Sequence, residues 1–568
     1  MKSCVLDIEG NSLNEVVVEK KGKALPECTR IWCVATKDRD ASEPRLWTEE
    51  NLGSLKQYLK QFDILIGHNI YGYDYPVLNR LLGLKEPRLI VDTLVVSRLM
   101  YPDRNEHPFG GNSLECWGKH LRYPKTEYTG GWSEYTDAMG QYCLNDVLLC
   151  ELIYKQQTNF ISSNKSLVKF EHQITSLLSK QVESGFGYDL AAGEELYRNL
   201  VLEKLGIEDM MNSIFPAKIT ERYSDKTGKR LKDKVEVFNP GSRLQIAERL
   251  FDKYGWKAPE TDKGNPNVDE EVLSTLHFEE AKTLVKYFDI VKLISQVEDW
   301  NLRASTSRDN RIHGNINPQG AATGRCTHSQ PNIAQVSGDS KARSLWIPGK
   351  DGYVQVGADL KGLELRMLAH YMSEFDKGHY ASILINGDIH EHNKVAAGLS
   401  SRDLAKSFIY AYLYGASNVK LSKVLGCSVQ NASKLRVRFQ KEIPALAKVQ
   451  DLVRYWYLKD KAVVLPDNRK IPVRKEHAAL NTLLQGAGAI VSKLWMLKAN
   501  EDLNKLYGSD VFQMAYIHDE LQFAAPVDIA EDVGRVIVTA ANKAGNELNL
   551  NIAVDANFTI GTNWSETH

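Results

Sequence analysis

Apolar and polar residues alternate in short runs over the first 160 or so positions, then fall into long helical spacings. "SCVLDIEG", "RIWCVAT" and "RLWT" read as short strands, and "FDILIGHN" as a buried strand that ends in a polar turn. From about Phe170 the spacing is that of helices, as in "FEHQITSLLSKQVESGFGYD", "PGSRLQIAERL" and "AKTLVKYFDIVKLISQVEDWN". This change of period predicts a domain boundary near residues 155–165. Further on, "YVQVGA" reads as a strand delivering Asp359 at its end, and "FQMAYI" with "LQFAA" as a hairpin with His518, Asp519 and Glu520 at its tip. Between these, Arg402, Lys406, Tyr410 and Tyr414 recur every four residues, one slowly drifting stripe on a helix. Ser400 or Ser401 can cap its start and Gly415 can end it, while Leu404, Phe408 and Ile409 face elsewhere, toward a core.

Composition narrows the class. The 568 residues suggest roughly three or four domains. The hydrophobic share of 43% and charged share of 25% are those of a soluble globular chain. A net charge of −1 means that any grip on a polyanion must come from local basic surfaces. The eight cysteines form no C-x-x-C pair, so free thiols in a reducing compartment are expected. "MKSCVLDIEG" reaches acidic residues too early for a secretory leader, and no apolar run of about 18 residues predicts a membrane span. The stretch "KITERYSDKTGKRLKDKVEV" (Lys218–Val237) reads as a solvated loop or hairpin, with phosphate contact as the functional alternative.

Two sets of carboxylates carry chemistry. Asp7 and Glu9 are two apart on a predicted strand and so share a face. Asp74 lies in "HNIYGYDYP", and Tyr142 and Asp146 are i,i+4 on a predicted helix. Four converging carboxylates repel unless cations neutralise them, and a pair of divalent metals does so while activating a water against a phosphodiester. Asp92, in "VDTLVVSRL", is read as structural. The second set is Asp359 and Asp519, flanking the cationic helix. One aspartate at a strand end is ordinarily a turn residue, and a cationic helix face is ordinarily solvated. Together they are the parts of nucleotidyl transfer.

The segments "VGADLKGLELR", "RDLAKSFIYAYLYG" and "AYIHDELQ" resemble motifs A, B and C of family A DNA polymerases, and the first domain resembles the DEDDy type of 3′–5′ proofreading exonuclease. The likeness runs from residue 3 to the end and is nearest to replicative polymerases of short-tailed phages. It implies an α/β architecture, with a ribonuclease H-like exonuclease over 1–160 and a right-hand polymerase over 161–568. The thumb would span about 190–310, the palm about 311–390 and 471–568, and the fingers about 391–470. By resemblance, Asp7, Glu9, Asp74 and Asp146 hold metal and Tyr142 orients the attacking water. Asp359 and Asp519 hold metal at the second site, with Glu520 at its edge. Arg402, Lys406 and His390 meet the triphosphate, and Lys406 is also a proton donor. Glu364 blocks a ribose 2′-hydroxyl, Tyr410 stacks near the incoming sugar and Tyr414 packs beside the templating base. Arg325, Gln485 and Asn481 read the minor groove, and His518 supports the primer end.

The implied cofactor is Mg²⁺, two per active site, with Mn²⁺ as a substitute. The implied partners are primer-template DNA, dNTPs and single-stranded 3′ ends, with a replication helicase-primase and a single-strand-binding protein. The implied setting is cytoplasmic, in a host cell if the chain is phage-encoded. Some relatives carry a long thumb insertion that captures thioredoxin. Only the short basic stretch before "FNPGSR" occupies that place here, so thioredoxin is not expected as a partner. A single-subunit RNA polymerase shares the two aspartates and the lysine-tyrosine-glycine helix, but Glu364 and the attached exonuclease argue against it. A non-catalytic DNA-binding subunit on a spent polymerase fold is argued against by the intact carboxylates at both sites.

Overall fold

A computed structural model describes residues 1–18, 24–85, 89–103, 107–261 and 263–568. Met1–Tyr188, Thr306–Gln335 and Trp346–His568 form one compact unit, and Asp189–Ser305 with Val336–Leu345 form another.

The first unit opens with a five-stranded sheet of β1 (Ser3–Gly10), β2 (Ile31–Asp38), β3 (Arg45–Thr48), β4 (Ile64–Gly67) and β5 (Leu89–Asp92), in the order β3-β2-β1-β4-β5. The first three strands pair antiparallel, whereas β1–β4 and β4–β5 are parallel, the mixed order of a ribonuclease H-like layer. Period 2 sorts the side chains of β1. Cys4, Leu6 and Ile8 enter one apolar cluster, and Val5 enters another with Cys143 and Val147. Asp7 and Glu9 therefore share the Val5 face, which is covered by α2 (Asp137–Ser163). The short α1 (Asp74–Leu82) starts with its own acid and ends at Gly83 with φ 63°, a left-handed position that suits glycine.

Helix α3 (Lys165–Ser184) follows and bonds to both halves of this unit. On one side Ser179 Oγ donates to Tyr71 O at 2.7 Å, and Asp92 N donates to His172 Nε2 at 2.9 Å. On the other, Glu171 meets Lys493 at 3.0 Å and Arg469 at 2.6 Å, with Glu171 and Lys493 fully buried. Gln319 Nε2 also donates to Glu171 at 3.0 Å. The two cations outweigh the burial penalty and hold Glu171 down at about 2. Losing one partner of such a buried group typically costs about 3–5 kcal/mol, because the remaining charge stays buried and uncompensated.

The C-terminal sheet consists of β6 (Tyr353–Leu360), β7 (Phe512–Ile517), β8 (Glu520–Pro526) and β9 (Ala556–Gly561), in the order β7-β8-β6-β9, antiparallel throughout. The helices of this part are α4 (Leu363–Asp376), α5 (Ile389–Ala397), α6 (Arg402–Leu413), α7 (Ala479–Tyr507) and α8 (Ala530–Glu547). Helix α7 is apolar on nearly every side, as expected for a helix inside the largest core cluster.

The second unit holds the helices Leu190–Ile214, Arg243–Tyr254 and Glu279–Thr306. The basic stretch forms a hairpin of Lys218–Tyr223 and Arg230–Glu236, and its cations are partly spent on local acids. Lys218 reaches Glu248 at 2.5 Å and Asp252 at 2.7 Å, and Arg230 reaches Asp233 at 3.2 Å. The cysteines are free thiols, as expected, and no helix among the described residues is long and apolar enough to cross a membrane.

Candidate active sites

The N-terminal site is built where β1, α1 and α2 meet. Asp7 and Glu9 project toward α2, and ligand atoms of Asp7, Glu9 and Cys143 lie within 4.8 Å of one another. Asp74 sits at the start of α1, and its Oδ1 accepts from Ile8 N at 3.0 Å, which fixes it against β1. Tyr142 and Asp146 occupy one face of α2. Lys125, which sequence reasoning missed, joins them. Its ammonium is 2.7 Å from Asp146 Oδ2 and 4.6 Å from the centre of the Tyr142 ring. Nothing in the spacing of "YPKTEY" announces this lysine, because only the fold brings it to α2.

The electrostatics are those of crowded carboxylates. Burial, then Asp74, Glu9 and Asp146, push Asp7 well above the usual carboxylate range. Burial and Asp146 raise Glu9 to about 9, and burial raises Asp74 to about 7. Asp146 is also raised by burial, although Lys125 pulls it back. Its Oδ1 is buried and has no hydrogen-bond partner among the described residues. A buried carboxylate oxygen left unpaired beside three more acids fits a cation. Asp92 stands apart. It accepts from Asn69 N, Tyr71 N, Leu94 N and Val95 N, so it is a structural latch.

The second site lies at the end of β6 and the β7–β8 turn. Asp359 pairs in register with Glu520, and Leu360 N donates to Asp519 O at 3.0 Å, so strand pairing places the two aspartates side by side. The turn has two residues, His518 and Asp519, and His518 has φ 59°. A positive φ at the first central position is where glycine is usual in a hairpin, so a histidine there stores strain. Ser492 Oγ on α7 holds the turn by donating to His518 O at 2.5 Å. Desolvation, then Asp519 and Glu520, raise Asp359 to about 7, and desolvation with Glu364 raises Asp519 to about 6.

Glu520 differs from both aspartates. Burial pushes it up, but hydrogen bonds hold it below the usual range. Trp564 Nε1 donates at 2.5 Å, Gln522 Nε2 donates at 2.7 Å, and His568 Nδ1 lies 2.9 Å away. A Cβ at Gly357 would lie 2.2 Å from Thr567 O, so only glycine lets this segment pack against β6. Trp564 and His568 were not identified from sequence.

Helix α6 faces this site. Of its two predicted caps the structure uses Ser401, whose Oγ accepts from Leu404 N at 3.2 Å, and Gly415 follows the helix with φ 73°. Phe408 and Ile409 are buried, while Arg402 and Lys406 are exposed. Arg402 Nε lies 2.7 Å from Asp388, which caps α5 by accepting from His390 N and Glu391 N. Desolvation, then Arg402, lower the pKa of His390, and its buried Nδ1 has no hydrogen-bond partner among the described residues. Arg402 and Lys406, with the His390 ring beside them, are a fitting environment for an anionic ligand. Tyr410 and Tyr414 stack with ring centres 6.5 Å apart. The Tyr414 hydroxyl donates to Glu364 Oε1 at 3.0 Å, and Arg325 Nη2 donates to the same oxygen at 3.2 Å. Asn481 and Gln485, one turn apart on α7, are half-buried and stand outside this bonded group.

Residues 214–566 match DNA polymerase family A. The DNA-directed DNA polymerase of Enterobacteria phage T3 is 31% identical, with 99% of this chain and 100% of that protein aligned. That of Escherichia phage T7 is 30% identical over the same shares. A solved structure, the POL domain of Pol1 from M. smegmatis in complex with DNA primer-template and dNTP, superposes with a TM-score of 0.79. It covers 100% of this chain and 96% of that one at 17% identity, a likeness of fold.

Proposed function

Because the chain belongs to DNA polymerase family A and is a DNA-directed DNA polymerase, we propose that Asp359 and Asp519 form its synthesis centre and that Asp7, Glu9, Asp74 and Asp146 form a 3′–5′ proofreading centre. The observation that carries the first assignment is the juxtaposition of Asp359 and Asp519 at the end of the β6–β8 register, near Tyr410 of α6, whose pKa Asp519 helps to raise. Its test is extension of a primed template with dNTPs or with NTPs in Mg²⁺. Template-directed extension with dNTPs supports the reading, and preference for NTPs or no extension overturns it.

Members of this family use divalent metal ions. We assign Mg²⁺, with Mn²⁺ as a substitute, to both carboxylate sets; when bound, such ions supply positive charge to the reacting phosphate and acidify an oxygen nucleophile. The side chains do the rest. Arg402, Lys406 and His390 bind the triphosphate, and Lys406 donates a proton to the departing pyrophosphate oxygen. Glu364, held by Arg325 and Tyr414, fills the space that a 2′-hydroxyl needs. Tyr410 contacts the sugar, and Tyr414 lies beside the templating base. Arg325, Asn481 and Gln485 face minor-groove acceptors, which sit alike in every correct pair, and His518 supports the primer end. At the proofreading centre Tyr142 orients water toward the terminal phosphodiester of a single-stranded 3′ end.

In this reading residues 1–160 are the exonuclease, about 190–310 the thumb, about 311–390 with 471–568 the palm, and about 391–470 the fingers. The enzyme works in a host cytoplasm beside a helicase-primase and a single-strand-binding protein, without thioredoxin.

A further inference from the structure

An exposed aromatic group adjoins the N-terminal carboxylates. Trp132 is 42% exposed, and it is the one tryptophan exposed to that degree among the described residues. Single exposed aromatics are common and need no explanation. Here three rings share one edge of the site. Trp132 and Tyr128 lie 5.0 Å apart between centres, Tyr128 and Tyr142 5.8 Å, and Trp132 and Tyr142 6.4 Å. Tyr142 in turn stands on the helical face that carries Asp146.

The loop that presents Trp132 is braced. Trp32 Nε1 donates to Trp132 O at 3.0 Å, and the Tyr128 hydroxyl donates to Gly131 O at 2.9 Å. Thr136, 3.2 Å from that hydroxyl, also caps α2 by accepting from Met139 N. The loop is thus tied to the helix that carries Tyr142. A large apolar ring held in water on a fixed loop is prepared to bind something flat, since little ordering entropy remains to be lost.

We infer that Trp132, flanked by Tyr128, is a stacking platform for the bases of a single-stranded 3′ end, the subsite that lets the N-terminal centre take any sequence. This rests on the proofreading assignment above. Every base offers a π face, so stacking grips a strand without reading it, whereas paired bases hide those faces in the duplex. The platform therefore selects unpaired ends.

The test uses the full chain with Asp7→Ala and Glu9→Ala, which should not degrade its ligand, and oligothymidylate as the probe. Binding should quench tryptophan emission. Trp132→Phe should remove most of the quench and keep most of the affinity, and Trp132→Ala should weaken binding about tenfold. In the chain with intact carboxylates, Trp132→Ala should raise KM for single-strand degradation by about the same factor and leave kcat within about twofold. A quench that persists in Trp132→Phe, or an affinity and KM unmoved in Trp132→Ala, overturns the platform. Absence of any degradation by the unmutated enzyme would instead overturn the proofreading assignment, while the quenching arm still reads the platform. If Trp132→Ala does not fold, the Trp132→Phe quench decides.

Discussion

The Tyr414 hydroxyl donates a 3.0 Å hydrogen bond to Glu364, linking the end of α6 to the first turn of α4. Arg325 grips the same carboxylate oxygen. The side chain assigned to sugar exclusion is thus held from two directions. Glu364→Ala should admit ribonucleotides. Tyr414→Phe removes one of the two hydrogen bonds to that oxygen while Arg325 keeps the other, and should relax discrimination by a smaller amount, up to about tenfold. The ratio of kcat/KM for deoxy- and ribonucleotides measures both, and an unchanged ratio in Glu364→Ala removes it from this role.

Asp359→Ala or Asp519→Ala should lower nucleotide addition by on the order of 10³-fold or more, because each change removes charge stabilisation needed in the transition state rather than grip on DNA. Primer-template affinity should stay within about threefold. Near-normal extension by either purified variant would mean that the synthesis centre lies elsewhere.

Asp7→Ala with Glu9→Ala should abolish degradation of single strands and leave extension of a matched primer intact. The two acids lie on β1, in a different sheet from Asp359. Degradation that persisted in the double variant would show that the N-terminal layer had been misread.

In the proposed reading Tyr410 bears on the 3′ position of the incoming sugar. Its phenol is half-buried, and its pKa is raised by desolvation and then by Glu364 and Asp519, which places it in the acidic heart of the site. When the sugar lacks a 3′-hydroxyl, a phenolic hydroxyl can supply the missing polar partner, and a buried group left unpaired costs ~1–3 kcal/mol. The unmutated enzyme should therefore terminate readily with dideoxynucleotides, and Tyr410→Phe should resist them by roughly one to two powers of ten. Equal dideoxynucleotide use by the two would detach Tyr410 from sugar sensing.

Stability should fall with rising pH when divalent cations are chelated. A carboxyl whose folded pKa is raised stabilises fully below its unfolded value, near ~4, and loses that contribution as pH climbs through the folded value. Burial and neighbouring acids hold Asp74 at about 7 and Glu9 at about 9, so the loss spans that interval. Glu171, held at about 2, acts oppositely but only in strong acid. Melting in chelator should therefore drop between roughly pH 5 and pH 9, with Mg²⁺ restoring most at the alkaline end. A flat or rising midpoint over that interval would contradict the crowding of these acids.

Much of this was legible in the chain because it depends on short-range rules. "SCVLDIEG" gave both a strand and a shared face for Asp7 and Glu9, since period 2 acts within a few residues. The stripe from Arg402 to Tyr414 and its serine cap follow from helical spacing in the same way. What could not be read were contacts made only by folding. Lys125 reaches Asp146, His568 reaches Glu520, and Glu171 reaches Lys493 across long stretches of chain. No local pattern marks such a lysine or histidine as different from a solvated one. The strain at His518 was hidden for a different reason: a histidine in a turn looks ordinary until its φ is known.

Helix α3 has a consequence for anyone who would cut this protein in two. By chain order it begins the second half, at Lys165. By its bonds it is a keel common to both halves. A fragment ending at Ser163 would keep β5 but lose the His172 ring that receives Asp92 N and the Ser179 hydroxyl that caps Tyr71 O. The complementary fragment would keep Glu171 in its ion cluster but expose the face that had covered β5 and the Tyr71 turn. A cut after α3 is no cleaner, because it takes Glu171 away from the buried Lys493 and from Arg469, so each severed piece needs this helix to stay whole.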